Sequence, residues 1–167
     1  MHIEDIAYSV DGAEYIGHLA YNDASDAKRP AVLYAHGHWM KGRFTEETEA
    51  IAKQRMATGE EPDIDRGRYH IQVGSITLAK LGFVVFQYDM IGVADTTAIA
   101  HIARSGVPHP NGFGDADGEL RLQSLMGLQT WNSIRAVDFV SSLPDVDPKK
   151  IGVTGASGGG TQSFVLA

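Results

Sequence analysis

No cysteine occurs in the 167 residues. That excludes disulfides, thiolate nucleophiles and Cys-ligated zinc, and leaves the redox compartment open. No apolar run approaches the ~18 residues that a transmembrane helix needs. The opening "MHIEDIAYSV" has no basic segment followed by an apolar one, so it does not read as a signal peptide. Basic residues are the minority: 14 Lys and Arg against 21 Asp and Glu give a formal charge of -7. Nucleic-acid binding leaves a basic footprint, and no run of Lys and Arg is present. The acidic balance bears on solubility more than on substrate. No internal repeat and no linker divides the chain.

At 43% apolar and 21% charged, the composition is that of a single globular domain. "IAYSVDGAEYIGHLAY" reads as a β-hairpin turning at Asp11-Gly12, a dipeptide suited to the positive φ angles of a type I′ turn. A polar loop over 22–30 follows. "AVLYAH" (31–36), "FVVFQYD" (83–89) and "KKIGVTG" (149–155) are short apolar runs, as expected of strands buried on both faces. Between the first two lies 41–69, with seven acids and six bases. This stretch reads as an excursion with a short helix near 45–57. The spacing then predicts a helix over 71–81, capped by Gly82. Residues 90–118 read as loop. A long helix is predicted from Glu119 to Ser142, where Leu122, Leu125, Leu128, Trp131, Ile134, Val137 and Val140 recur at every third residue. A three-residue step drifts around a 3.6-residue helix, so a broad and covered apolar surface is expected. Alternating strands and helices predict an α/β fold with a mostly parallel sheet and right-handed crossovers.

The last strand runs into Gly155-Ala156-Ser157-Gly158-Gly159 and then into a helix. A serine hydroxyl is a poor nucleophile at neutral pH; it must be lifted from the sheet, reached by a base and placed near amide donors. A strained strand-to-helix turn does the lifting, and it needs small residues two before and two after the serine. Gly155 and Gly159 meet that demand, and Ser157 is the candidate nucleophile. An ordinary glycine-rich junction is the competing reading. A phosphate loop is excluded, because the segment lacks the Lys of G-x-x-x-x-G-K-[ST].

"YAHGHW" (34–39) closes the first parallel strand, at the sheet edge where α/β sites form. In a nucleophile-elbow fold the loop after this strand supplies one oxyanion amide. Here that amide is His38, and its partner is Gly158. A metal-binding reading of His36 and His38 competes, but no nearby carboxylate completes a ligand set. His36 is expected to be a buried histidine that shapes the loop. Asp89, at the end of the second parallel strand, has two readings, a catalytic carboxylate and a structural turn residue bonding backbone amides, of which the structural one is expected. None of His2, His18, His70, His101 and His109 is aimed by the sequence to act as a base, although the loop holding the last two could overhang a pocket.

In this order of elements the chain resembles the N-terminal part of an α/β-hydrolase. "HGHWMKGRF", "GFVVFQYDMIG" and "SLMGLQTWNSIRAVDFVSSLPDVDPKKIGVTGASGGGTQSF" resemble bacterial acetyl xylan esterase-like hydrolases, close to dienelactone hydrolases and to the prolyl-oligopeptidase-type catalytic domain. The resemblance covers nearly the whole chain. It implies Ser157 as nucleophile, an oxyanion hole from the amides of His38 and Gly158, no cofactor, and a small-molecule or carbohydrate ester as substrate. In that fold the triad acid and then the base follow the serine along the chain. Both are therefore expected beyond Ala167, and the 167 residues are expected to be a C-terminally incomplete part of a longer protein. The strand at 149–155 would then lack one neighbour, and the chain by itself is expected to be poorly soluble or molten. Two rivals to the esterase reading stand: a prolyl-oligopeptidase-type serine peptidase and a non-catalytic α/β domain.

Overall fold

A computed structural model of the chain describes residues 1–10, 13–22, 27–39, 41–97, 99, 120–121 and 124–167. Strands β1 (His2–Val10) and β2 (Ala13–Tyr21) form the expected hairpin, with Val10 opposite Ala13. The Asp11-Gly12 turn itself lies outside the described residues. Strand β3 (Arg29–Ala35) leads into the acid- and base-rich excursion. That excursion holds more helix than the sequence suggests: a 3-10 turn at Gly42–Phe44, then α1 (Glu49–Ala57) and α2 (Ile64–Arg68). Side chains of Thr48 and Asp63 cap the two helices by accepting from the Ile51 and Arg66 amides. Ion pairs such as Glu61–Arg66 (2.9 Å) explain the charge balance of the segment.

Helix α3 (His70–Lys80) ends as expected, with Gly82 at φ +99°. Strand β4 (Val84–Tyr88) is buried along its whole length. Helix α4 (Leu125–Ser142) starts later than Glu119, because the Ser124 hydroxyl accepts from the Gly127 amide and caps it. Strand β5 (Val146–Gly155) and helix α5 (Gly158–Leu166) complete the described elements.

The sheet order is β1-β2-β4-β3-β5. Strand β2 runs antiparallel to β1 and β4, while β3 is parallel to both β4 and β5. Because side chains alternate across a strand, β4 feeds two cores. Val84, Phe86 and Tyr88 pack with Leu33, Ala136 and Val140 on the α4 face. Val85 packs with Ala20 and Ala79 on the α3 face.

Two expectations need correction. Strand β5 is not buried on both faces: only Val146 is buried, and Lys149, Lys150, Gly152 and Thr154 are exposed. Its edge position, by contrast, is the expected one: among the described residues β3 is its sole strand partner. Of the long helix's three-step apolar row only Val140 is fully buried among the described residues; Leu125, Leu128 and Val137 are half-buried and Trp131 is exposed, while Gln129, Asn132, Ser133 and Ala136 are buried. The covered face is polar because buried partners await it. Tyr8 donates to Asn132 (2.5 Å), and Tyr88 donates to Ser133 (2.8 Å). Burial holds both phenols well above the ordinary tyrosine pKa, that of Tyr88 at about 12. No described helix is long and apolar enough to cross a membrane.

Candidate active site

Parallel pairing of β3 with β5 places Ala35 opposite Gly155. The HGH turn and the serine turn therefore leave the sheet side by side, at the strands' C-terminal ends. The contact is close. A Cβ on Gly159 would sit 1.9 Å from the Ala35 carbonyl oxygen, and one on Gly155 would sit 2.3 Å from it. Both positions demand glycine for space, as the motif predicts. A Cβ on Gly37 would meet the Trp39 ring at 2.6 Å and the Ala156 carbonyl at 2.9 Å, so the two turns also touch each other.

Ser157 adopts φ 54° and ψ -119° and is exposed. A positive φ at a non-glycine residue costs on the order of 1–3 kcal/mol, and persists only where the surroundings over-determine it. Ser157 occupies the N-cap position of α5, yet its side chain makes no capping hydrogen bond. A serine at an N-cap ordinarily accepts from the amide two or three residues on.

His36 is fully buried, as expected. Its Nδ1 lies 2.8 Å from the Gly37 carbonyl, and its Nε2 accepts from the Met90 amide at 3.2 Å. Acceptance at Nε2 puts the proton on Nδ1. Both ring nitrogens are thus engaged by backbone, which removes the basis of a His36–His38 metal pair. His38 is exposed. It lines a hollow of about 180 Å³ with Gly37, Met90, Val93, Leu125, Met126 and Gly158. The structure so brings His38 and Gly158, the two candidate amide donors, to one mainly apolar cavity beside the serine turn.

Asp89 is structural in its contacts, and more elaborately than a turn residue. It is fully buried, accepts from the Asp95 amide (3.1 Å) and pairs with the buried Arg43. Helix α4 steadies the same exit from β4: Gln129 accepts from the Ile91 amide (2.6 Å), and Asn132 donates to the Asp89 carbonyl (3.3 Å). Arg43, Gln129 and Asn132 were not foreseen as site-building residues. Gln129, Asn132 and Ser133 do share one helical face in the "MGLQTWNS" stretch, and that polar stripe was the available signal. Arg43 had none; it sits among the many charges of 41–69.

Of the histidines weighed as bases, His101 and His109 lie outside the described residues. His2 stacks on Tyr21. His18 contacts Asp5 at 2.6 Å, and His70 approaches Glu47 at 3.8 Å. Burial lowers the pKa of both, helped by Arg43 for His18 and by Arg55 for His70. A histidine with a depressed folded pKa resists protonation that the unfolded chain accepts. Stability is therefore expected to fall as pH drops below the unfolded value of about 6.5. Urea midpoints measured on either side of that pH should separate, and should converge in His18→Gln and His70→Gln variants. An unchanged separation would assign the pH dependence to other groups.

The fold so assembled is one that α/β-hydrolases of known structure share. Among solved structures, an acetyl xylan esterase from Paenibacillus sp. R4 aligns at TM-score 0.65 and 22% identity, over 99% of this chain and 44% of that one. A dienelactone hydrolase-like promiscuous phosphotriesterase from metagenomic libraries aligns at TM-score 0.60 and 19% identity, over 99% of this chain and 53% of that one. A methylesterase aligns at TM-score 0.59 and 22% identity, over 98% and 29%. The chain thus spans about half or less of these proteins' own length. No family model and no curated protein sequence matches it.

Proposed function

We propose that the chain is the nucleophile-bearing part of a serine esterase that works through an acyl-enzyme. Ser157 Oγ attacks an ester carbonyl while the amides of His38 and Gly158 hold the oxyanion. The serine proton passes to a histidine, oriented by an Asp or Glu, both supplied from beyond Ala167. The bond to the alcohol breaks, the alcohol leaves with that proton, and water then releases the acid from Ser157. The observation that carries this reading is the backbone of Ser157. A serine at φ 54°, exposed at an N-cap it does not cap, is strain without structural return. The likeness to esterase structures supports ester substrates, and the acetyl xylan esterase among them favours an acetylated carbohydrate such as xylan. No cofactor is needed for this chemistry.

The test is a comparison of substrates on the full-length protein. Acetate release from acetylated xylo-oligosaccharide is expected, with cleavage of a Pro-linked peptide amide at background. Peptide cleavage without acetate release would move the assignment to a prolyl-oligopeptidase-type peptidase. Turnover of neither, with a simple acetyl ester also left intact, would leave a non-catalytic α/β domain.

A further inference from the structure

A charged side chain seldom enters a core without a task, and Arg43 is fully buried. Its guanidinium donates to Asp89, itself fully buried, and to Asp95 at 2.6 Å. The Phe44 ring covers it, with the guanidinium carbon 4.2 Å from the ring centroid. Asp89 and Asp95 are tied to one another, because the Asp95 amide donates to the Asp89 carboxylate at 3.1 Å. Arg43 follows the HGH turn by a few residues, and described residues on the way are tied to the turn. The Gly42 amide donates to the Trp39 carbonyl at 2.7 Å, and Gly42 takes φ +51° against the His36 ring.

The turn is therefore fastened at both ends to one stretch of chain, the exit from β4. At its start His36 accepts from the Met90 amide. At its end Arg43 grips Asp89 and Asp95. His38 lies between these two fastenings. We infer that Arg43 is a positioning residue, which holds the HGH turn so that the His38 amide faces the cavity it shares with Gly158. The inference rests on the esterase reading for its catalytic consequence, though not for the fastening itself. Breaking a buried pair leaves an uncompensated charge, so the turn should loosen when Arg43 is removed.

The experiment uses the full-length protein with Arg43→Met, Arg43→Lys and Asp95→Asn. Two quantities are read: kcat and KM on p-nitrophenyl acetate, and amide hydrogen exchange across 36–45. A donor displaced by about 1 Å costs on the order of 10²-fold in rate. Arg43→Met is thus expected to lower kcat about 100-fold with KM within about threefold, and to speed exchange across 37–45 at least about tenfold. Arg43→Lys should recover part of both, since it keeps the charge and loses the fork. Asp95→Asn removes the half-exposed partner alone and should lower kcat a few-fold; it carries the test if Arg43→Met does not fold. Unchanged exchange in the folded variants would overturn the inference, and so would a loss expressed in KM instead of kcat. If the parent protein hydrolyses no ester, the esterase reading fails, and the exchange data still decide whether Arg43 holds the turn.

Discussion

Ser157→Ala is expected to lower ester hydrolysis by about 10⁴-fold or more, the scale on which a triad serine acts, with the fold intact. The remaining rate would come from the oxyanion donors and from binding. The companion variant, Ser157→Gly, separates chemistry from structure more sharply. It should be equally inactive and yet more stable than the parent. The reason lies in the backbone: at φ 54° a serine carries strain of order 1–3 kcal/mol that glycine does not. Glycine costs about 0.4–1 kcal/mol through the freer unfolded chain. The balance is a gain of about 1 kcal/mol, readable as a higher urea midpoint with unchanged slope. A structural serine would behave in the opposite way, since removing it would cost stability and spare activity.

Gly159→Ala is expected to be the most disruptive single methyl group near the site. Its Cβ would stand 1.9 Å from the Ala35 carbonyl oxygen and 2.8 Å from that of His36. These are backbone atoms, with no rotamer to turn aside. Strand β3 and helix α5 would have to part, which also separates the HGH turn from Ser157. Overpacking of this kind costs about 3 kcal/mol, the upper part of its usual range, and activity should fall with it. Gly158→Ala is the control. Nothing lies within 4 Å of a Cβ there, and the residue opens α5 without a positive φ. That variant should keep its amide in place and match or exceed the parent by up to about 1 kcal/mol. Thermal unfolding of the two variants side by side checks the contrast. Equal effects would mean that the two turns do not meet as closely as described.

Much of this arrangement was legible from residue types because backbone geometry leaves little choice. A serine flanked at two residues' distance by glycines, between an apolar strand and a helix, announces a tight turn, and Gly155 and Gly159 proved to be in contact with Ala35. The three parallel strands and the hairpin were legible for the same reason: short β-rich runs between turn residues have few other uses. The errors came where tertiary partners decide. The apolar row of α4 suggested its own burial, but Tyr8, Tyr88 and the β4 exit supply hydrogen-bond partners that draw Gln129, Asn132 and Ser133 inward instead. The place of β5 at the sheet edge was legible, but its burial was not: Ile151 and Val153 are only half-buried, and Lys149, Lys150 and Thr154 are exposed. Arg43 was hidden by composition. Six bases share the stretch 41–69, and only the fold tells which of them turns into the core.

The central claim is that Ser157 is an activated nucleophile, and its reaction with a fluorophosphonate tests that most directly. The folded full-length protein should take up one adduct, on the peptide that contains Ser157, at least about 10³-fold faster than the urea-unfolded protein. The Ser157→Ala variant should take up none. An adduct that forms at the same rate in folded and unfolded protein, or that forms on another residue, would contradict the account.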